Sequence, residues 1–399
     1  MRRTLRATGL VLIWALIAAV LLEAALRLLY PVLPAHLTVG ARRITGDTGS
    51  AGTILGISMW DRGLVLRPDL VEASVSVSPA VRFHVTTRRL FDSAFGFRTH
   101  LPDAPVTIAV VGDSYGFCFT EEADCWVPLL SAASGRTAVN LSQPGTSGQT
   151  HWRMIDEYAR SLQPPVVLWV FSQNDFNEAY GQAVNNGEIA PIDEPPLVVD
   201  PGLEPSVAPL VKWLRGHSVA FTVIESALVG DWAYLDDFQR LFVAPYKTEY
   251  RDGALEFGQP YTFAVGDMTR PHNAAGVPLY RDALVRARSA VESWGGALVV
   301  VMIPPREMAY EHLTRPVLGE ERYTRLGASY DTMRALCVEL GLTCFDTLPG
   351  FASRAQAGEH LYYTDDPHLN PYGNGVLATL VREYLAFIGL LDAPAPEMP

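Results

Sequence analysis

The sequence is poor in cysteine and in positive charge. Four cysteines occur in 399 residues, without a C-x-x-C pair or a cluster of cysteine and histidine, so the ligand pattern of a structural zinc site is missing. The 31 Lys and Arg residues face 43 Asp and Glu residues, giving a net charge of −12, and no basic block occurs. These features exclude nucleic-acid binding as the main function. The apolar composition of 49% is ample for a buried core.

The chain begins with arginines followed by an apolar run. Arg2, Arg3 and Arg6 precede residues 10–22, LVLIWALIAAVLL, and residues 1–33 are interpreted as a membrane anchor or signal segment. This charge pattern favours a cytoplasmic start and export of the remainder, as a single-pass inner-membrane protein with its main domain on the periplasmic side. A signal peptide, cleaved to release a secreted protein, and a soluble helix remain alternatives.

The cysteines form two local pairs of equal spacing, Cys118 with Cys125 and Cys337 with Cys344. Export to an oxidising compartment permits both pairs as disulfides that close short loops. Four free, buried thiols are the alternative, which spacing alone does not exclude.

The remainder divides by pattern. Residues 34–104 contain short β-rich pieces and are interpreted as a lead-in segment, whereas residues 105–399 alternate apolar strands with amphipathic helices. Strands are predicted at 106–112, 137–142, 165–172, 296–304 and 343–348, and helices at 125–134, 149–162, 281–294, 320–340 and 373–387. Nearly continuous apolar strands are typical of a parallel sheet covered on both faces. The predicted fold is therefore α/β: a flavodoxin-like, doubly wound sheet of about five strands.

One connection in this pattern is much longer than a crossover requires. Residues 176–282 are interpreted as an insertion, rich in proline and acidic residues in its first half and in aromatic residues in its second. We expect its aromatic side chains to pack in its own helices or to cover a site, and they are Trp213, Trp232, Tyr234 and Phe238.

Reactive residue types follow the predicted strands, whose carboxyl ends share one edge of the sheet. Ser114, in the stretch Gly112-Asp113-Ser114-Tyr115-Gly116, follows the first strand at a turn that can present a hydroxyl group. Gly145 follows the second strand and Asn174 the third, and a backbone or side-chain N–H group at such positions can stabilise an oxyanion.

A histidine flanked by carboxylates lies near the C-terminus. His368 stands in the stretch TDDPHLNPYGN, three residues after Asp365 and two after Asp366, so either carboxylate can hold the imidazole while its other nitrogen takes a proton from a serine. Arg306 and Asp175 are candidate substrate contacts at the same edge, although an ion pair is the ordinary interpretation of the arginine.

Taken in order, Gly112-Asp113-Ser114, Gly145, Asn174 and the Asp-His stretch resemble the four signature blocks of the SGNH/GDSL hydrolase superfamily, over about residues 106–175 and 296–388. The resemblance implies that Ser114 is the nucleophile and His368 the base. It implies that Asp365 or Asp366 orients the histidine, with Asp365 preferred, and that the N–H groups of Ser114 and Gly145 and the amide of Asn174 form the oxyanion hole. Ser172 stands where the family usually has glycine.

An anchored chain with a β-rich lead-in and an insertion also resembles the bacterial envelope branch of this superfamily, which includes enzymes that add or remove acetyl groups on exported polysaccharides. The function expected from the resemblance is ester hydrolysis or O-acyl transfer, without a cofactor or metal, on a glycan or a small ester. Protein partners cannot be inferred.

Two alternatives remain. A catalytically silent binding or assembly protein of the envelope would keep the fold, but intact serine, histidine and asparagine residues oppose it. A metal site on Asp365, Asp366 and His368 is a further alternative. A phosphate-binding loop is excluded because the turn lacks the Gly-Lys-Ser/Thr ending.

Overall fold

A parallel sheet organises the larger part of the chain. The structure is a computed structural model that describes residues 2–33, 35–45, 56–59, 63–78, 80–194, 209–229, 241–251 and 253–391. The strands in these ranges are β1 Gly56–Met59, β2 Gly63–Leu66, β3 Ala73–Ser76, β4 Arg82–Val85, β5 Ile108–Val111, β6 Ala138–Asn140, β7 Val166–Phe171, β8 Tyr246–Tyr250, β9 Gly253–Phe257, β10 Ala297–Met302 and β11 Thr343–Asp346.

Helices cover both faces of this sheet and continue into the flanking segments. The α-helices are Arg2–Leu29, Ala35–Thr45, Ser114–Phe117, Trp126–Ser134, Gly148–Met154, Arg160–Leu162, Asp175–Asn185, Pro209–His217, Val219–Val229, Pro260–Gly266, Pro271–Ser293, Arg306–Ala309, Glu311–Leu318, Glu320–Leu340, Leu348–Gln356 and Pro371–Phe387. Tyr30–Val32 and Glu122–Asp124 are 3₁₀ turns, and Ile155–Ala159 is a π-helical turn.

The sheet has the spatial order β11-β10-β7-β5-β6, with every pair parallel. Counted along the chain, its five strands run 2-1-3-4-5, which is the flavodoxin-like order. This confirms the predicted fold class, and each predicted strand is present. The strand order reverses between β5 and β7, so the loops after these strands diverge and leave a crevice at their carboxyl ends.

Both faces of the sheet are buried, as the continuous apolar runs predict. Along β5, Ile108 and Val110 contribute to the core on one side, and Ala109 and Val111 to the core on the other. Neighbouring strands repeat this alternation because successive side chains point to opposite faces. Each fully buried Val or Ile contributes roughly 1.5–3 kcal/mol, so the sheet is a rigid support for the loops at its edge.

Besides helices that were not predicted, such as Asp175–Asn185 and Leu348–Gln356, two helical features differ from the predictions. Pro271–Ser293 begins ten residues before the predicted start, with Pro271 in its first turn, where the missing N–H group costs nothing, and with Pro278 inside it. Ala35–Thr45 is a helix within a segment predicted to be β-rich.

The chain divides into two compact units: residues 1–49 with 198–241, and residues 50–197 with 242–399. The predicted insertion, 176–282, therefore does not form one body. Its helices Pro209–His217 and Val219–Val229 belong to the first unit, whereas β8, β9 and Pro260–Gly266 belong to the second. Trp213 is exposed on the first of these helices, and Trp232, Tyr234 and Phe238 lie outside the described residues.

One helix in the described part of the chain is long and apolar enough to cross a membrane, with the candidate span Ile13–Val32. Its length and composition are consistent with a membrane anchor or a signal sequence. It belongs to the first unit.

The lead-in segment contributes two antiparallel pairs, β1 with β2 and β3 with β4. Side chains of the second pair form a small apolar core that includes Phe83 and Val85 and reaches Phe117, three residues after Ser114. The lead-in segment therefore packs directly behind the turn that carries the serine.

Candidate active site

Ser114 begins the short helix Ser114–Phe117 directly after β5. The Asp113 carboxylate caps this helix by accepting the backbone N–H of Tyr115 at 3.0 Å. The glycines around the serine are explained by packing, since a Cβ atom at Gly116 would lie 2.2 Å from Ser142 Oγ and one at Gly112 only 2.7 Å from Val170 Cβ. Close approach of backbone to neighbouring loops therefore fixes the path of this turn.

A chain of hydrogen bonds joins the serine to a histidine and a carboxylate. His368 Nε2 lies 2.8 Å from Ser114 Oγ, and His368 Nδ1 lies 2.6 Å from Asp366 Oδ1. The same carboxylate oxygen accepts the backbone N–H of His368 at 2.9 Å. This is the arrangement in which a carboxylate fixes the tautomer and the imidazole can take the serine proton.

Asp365, the carboxylate preferred by the sequence analysis, does not contact the imidazole. Its oxygens accept the Ser78 hydroxyl at 2.8 Å and the Ala80 backbone N–H at 3.1 Å. The loop that carries His368 turns so that neighbouring side chains point to opposite sides. Asp365 therefore accepts hydrogen bonds from the β3–β4 connection, and Asp366 faces His368. Among the residues that the structure describes, Asp365, Asp366 and His368 do not form a group close enough to hold a metal ion.

Two aromatic rings enclose the imidazole. The rings of Phe119 and Tyr115 lie with centroids 4.3 Å and 4.8 Å from that of His368, and the Tyr115 hydroxyl donates to the carbonyl of Pro367 at 2.9 Å. Burial acts to raise the pKa of Asp366, but the charge of His368, its two hydrogen bonds and the nearby Arg306 outweigh burial and hold that pKa below its usual value. The carboxylate is therefore ionised at neutral pH.

Arg306 is an internal support of the histidine loop. It is fully buried, and its Nη1 donates to the carbonyl oxygens of Asp366 at 3.0 Å, Tyr363 at 3.2 Å and Thr364 at 3.4 Å. Its Nη2 donates to Gln259 Oε1 at 3.0 Å. The predicted substrate contact is therefore wrong for this side chain, because no part of it reaches solvent.

Asp175 is likewise no surface group. It is fully buried, and its Oδ2 accepts the backbone N–H of Ser172 at 2.9 Å and the Tyr280 hydroxyl at 3.1 Å. The predicted contact of Asp175 with substrate is wrong for the same reason as that of Arg306. The carboxyl instead closes the turn after β7.

Asn174 is joined to the serine turn by a buried polar chain. Ser172 Oγ lies 2.6 Å from both Asp113 Oδ2 and Asn174 Oδ1, and Asn174 Nδ2 lies 2.6 Å from Glu178 Oε1. Ser172 has one hydroxyl hydrogen for two short contacts. Two acceptors without a hydrogen between them do not approach to 2.6 Å. If the Asn174 oxygen faces Ser172, the serine donates to it and Asp113 must carry the proton of its own contact with Ser172. If the amide is reversed, the Asn174 oxygen faces Glu178, and Glu178 must carry the proton.

The pKa directions agree with this proton count. Burial raises the pKa of Asp113, against hydrogen bonds from Ser172 and Tyr115 and the charge of His368. Burial also raises the pKa values of Asp175 and Glu178, and the charge of Asp113 adds to both shifts. Ser114 Oγ lies 3.5 Å from Asp113 Oδ2, so a neutral Asp113 avoids placing a negative charge beside the reacting oxygen.

The ligand atoms of these three carboxyl groups all lie within 4.8 Å of one another, close enough to surround a cation. A cation would require ionised carboxylates, whereas burial and mutual repulsion favour protons here. The chemistry of the donor set therefore favours a proton-sharing cluster.

Gly145 lies in the loop after β6, exposed and with a φ of +68° that favours glycine. This loop is tied to the serine turn by a hydrogen bond from Gln143 N–H to the carbonyl of Gly112 at 2.9 Å. The oxyanion roles of Ser114, Gly145 and Asn174 stay predictions.

Ser114 and His368 line a narrow cleft at the surface. Its other lining residues are Tyr115, Cys118, Phe119, Leu369 and Asn374. Cys118 is bonded to Cys125, and Cys337 to Cys344. The first bridge closes the loop that follows the helix carrying Ser114, so it borders the cleft.

Several residues that hold the candidate site together cannot be recognised from their neighbours in the sequence. Gln259 and Arg306 support the histidine loop although 47 residues separate them, and Ser172 was noted only as a departure from a family pattern. The apolar setting of Arg306, directly after a buried strand, is the one sequence feature that could have suggested an internal role.

The comparisons with known proteins concern different parts of the chain. Residues 263–393, which include His368 and Arg306 but not Ser114, match a family model described as SGNH hydrolase-like domain, acetyltransferase AlgX. A comparison with curated protein sequences found no match.

Solved structures with a similar arrangement include three acyl-ester hydrolases. The acetyl xylan esterase AlAXEase is 11% identical, with 70% of this chain and 99% of that chain covered and a TM-score of 0.35. The lipase/acylhydrolase from Enterococcus faecalis is 11% identical, with coverage of 73% and 100% and a TM-score of 0.35. A catalytic mutant of the acetylxylan esterase Axe2 from Geobacillus stearothermophilus is 12% identical, with coverage of 71% and 93% and a TM-score of 0.33.

Residues 263–393 are therefore similar to an SGNH hydrolase-like domain, and the sheet order and the order of the loops that carry Ser114, Asn174 and His368 agree with that similarity.

Proposed function

We propose that this protein transfers an acyl group, most simply acetyl, through Ser114, and that its substrate is a glycan of the cell envelope or an exported glycan. The observation that carries the proposal is the hydrogen-bond chain from Ser114 through His368 to the ionised Asp366. A chain of this kind activates a serine for attack on an ester carbonyl.

In the first half-reaction His368 Nε2 accepts the Ser114 proton while Oγ forms a bond to the acyl carbonyl carbon. The Ser114 and Gly145 N–H groups and the Asn174 amide are the proposed donors to the resulting oxyanion. His368 then returns the proton to the leaving alcohol oxygen as the ester bond breaks. An acyl-serine and a free alcohol result, and Asp366 stabilises the imidazolium between these steps.

In the second half-reaction His368 deprotonates an acceptor hydroxyl that attacks the acyl-serine. The new ester leaves and the proton returns to Ser114. A sugar hydroxyl as acceptor gives acyl transfer, whereas water gives hydrolysis by the same residues.

The choice of acetyl rests on the matched family model, which is named for an acetyltransferase. We further propose that Ile13–Val32 anchors the chain in the membrane, with the active site on the outer side, where exported glycans are found.

The test uses the purified full-length chain in detergent with p-nitrophenyl acetate, in the presence and absence of glycan acceptors. We expect a burst of p-nitrophenol, a Ser114 peptide heavier by one acetyl group and acetylated glycan by mass spectrometry. Ser114→Ala should lose the burst and the labelled peptide, and Ser131→Ala, at a serine outside the site, is the matched control. Equal turnover by Ser114→Ala and the unmodified chain would refute the nucleophile assignment, and no release above the rate without protein would favour a silent binding protein.

A further inference from the structure

The first unit contains a polar lock between the N-terminal helix and a helical hairpin formed by Pro209–His217 and Val219–Val229. The Glu23 carboxylate accepts the Ser218 hydroxyl at 2.7 Å and the backbone N–H groups of Val219 and Ala220, both at 3.0 Å. It therefore caps the second helix of the hairpin, where the helix dipole favours a negative charge.

Arg27 completes this lock one turn later on the N-terminal helix. Its Nε donates to Glu23 at 2.7 Å, and its Nη2 donates to the carbonyl of His217, the last residue of the first hairpin helix, at 2.9 Å. Within a candidate membrane span a lone charge at either residue would be costly to insert. Here the two charges neutralise each other and satisfy both helix ends at the hairpin turn.

Apolar contacts also hold the N-terminal segment against the hairpin. Tyr30 and Ala41 form a buried cluster with Val219 and Val223 of the hairpin, and Leu26 packs against it. Residues 23–30 are therefore an integral part of a folded unit, and a chain cleaved after the apolar run would lose the partner of the hairpin. This favours a retained anchor over a removed signal peptide.

The outward side of the hairpin is also apolar. On the second helix Val219 and Val223 are buried, whereas Ile224 and Leu228, four residues apart on the opposite face, are 44% and 78% exposed. Leu210 and Trp213 are exposed on the first helix. A helix that is apolar on both faces requires an apolar environment on its outer side.

The charges of the hairpin fit such an environment. Arg215 and Glu225 form a two-point ion pair between the two helices, at 2.8 Å and 3.0 Å, with both side chains largely covered. Exposed Lys212 has the long stem that places an ammonium group among lipid phosphates, and tryptophan prefers the same interface.

We propose that the hairpin 209–229 lies in the membrane interface beside the anchor helix, with Ile224 and Leu228 among the lipid acyl chains. Lipid, rather than another protein, is the partner because Glu23 directly follows the uninterrupted apolar run of residues 10–22 on the same helix. A hairpin held by Glu23 therefore begins where that run leaves the lipid acyl chains, at the level of the headgroups. Part of the predicted insertion is then a second membrane contact, independent of the acyl-transfer proposal.

The test places an environment-sensitive fluorophore on single introduced cysteines of the full-length chain in phosphatidylcholine and phosphatidylglycerol vesicles. Leu228→Cys is compared with Val71→Cys in the other unit, since both native side chains are 78% exposed. We expect iodide in the water to quench the probe at 228 at least about threefold less than at 71, and spin-labelled lipids to quench only the probe at 228. Glu23→Ala should release the hairpin and raise iodide quenching at 228 towards the value at 71.

Three results would overturn the proposal. One is equal iodide quenching at both positions in the otherwise unmodified chain, and another is protection from iodide at 228 without quenching by lipid, which indicates coverage by protein. The third is a mature N-terminus beyond Glu23, determined by mass spectrometry of the chain isolated from membranes. Circular dichroism of each variant separates these results from loss of fold.

Discussion

Two adjacent carboxylates provide the sharpest test of the candidate site. We expect Asp366→Asn to lower kcat for p-nitrophenyl acetate by about 10³–10⁴-fold, because an amide neither fixes the reactive tautomer of His368 nor stabilises its imidazolium. This corresponds to about 4–5.5 kcal/mol of transition-state stabilisation. The geometry accounts for a loss of this size, since Asp366 Oδ1 serves both Nδ1, at 2.6 Å, and the backbone N–H of the same histidine, at 2.9 Å.

Asp365→Asn is the matched control. The amide oxygen can still accept either the Ser78 hydroxyl or the Ala80 N–H, so one of two hydrogen bonds is lost. We expect a fall of about 1 kcal/mol in the free energy of unfolding and a kcat within about threefold of the unmodified value.

The assay measures burst and steady-state p-nitrophenol release at neutral pH, where Asp366 is ionised, with thermal unfolding followed by circular dichroism. Equal losses of kcat in both variants, or a larger loss in Asp365→Asn, would contradict the orientation of His368 by Asp366. A large loss of stability in Asp366→Asn would show that its effect on kcat is not specific.

Three further substitutions test the surroundings. Arg306→Lys should lower kcat by about 10–100-fold and change KM by less than about threefold, because one ammonium group cannot hold all the carbonyl groups of the histidine loop. Arg315→Lys, at an exposed ion pair, is the control and should leave both constants unchanged. Equal effects of the two substitutions would contradict the role of Arg306 as a support of the histidine loop. Ser172→Gly, which restores the usual family residue, should lower kcat by about tenfold by freeing the Asn174 amide, and an unchanged kcat would show that the amide is held otherwise. The raised pKa of the Glu178 carboxyl means that the folded chain keeps this proton to a higher pH than the unfolded chain does, so the carboxyl stabilises the fold increasingly as pH falls from 8 towards 5. Glu178→Gln should therefore reduce the rise in Tm over this pH range. An unchanged pH dependence of Tm would refute the proton-sharing cluster.

The sheet and the serine turn were predictable because their causes are local. A strand buried on both faces must be apolar at nearly every position, so β5, β7 and β10 are visible as continuous apolar runs. The parallel arrangement then brings the residues after each strand to one edge, which is why Ser114 and Asn174 could be grouped without coordinates.

The choice between Asp365 and Asp366 was not predictable, because both spacings to His368 are chemically acceptable. The path of the loop decides it. Residues 362–369 are closed by a bridge between Tyr362 and Leu369 and held from inside by Arg306, and this path turns Asp366 towards the imidazole.

The sequence by itself determined the sheet, the order of the reactive loops and the apolar N-terminal run, since each depends on composition over a few neighbouring residues. Only the tertiary structure decided that Arg306 is an internal support, that Ser172 links Asp113 to Asn174, and that Glu23 binds a hairpin almost 200 residues away. The physical reason is the same in each case: a polar side chain acquires its role from the partner that desolvates and neutralises it, and those partners are distant in the chain.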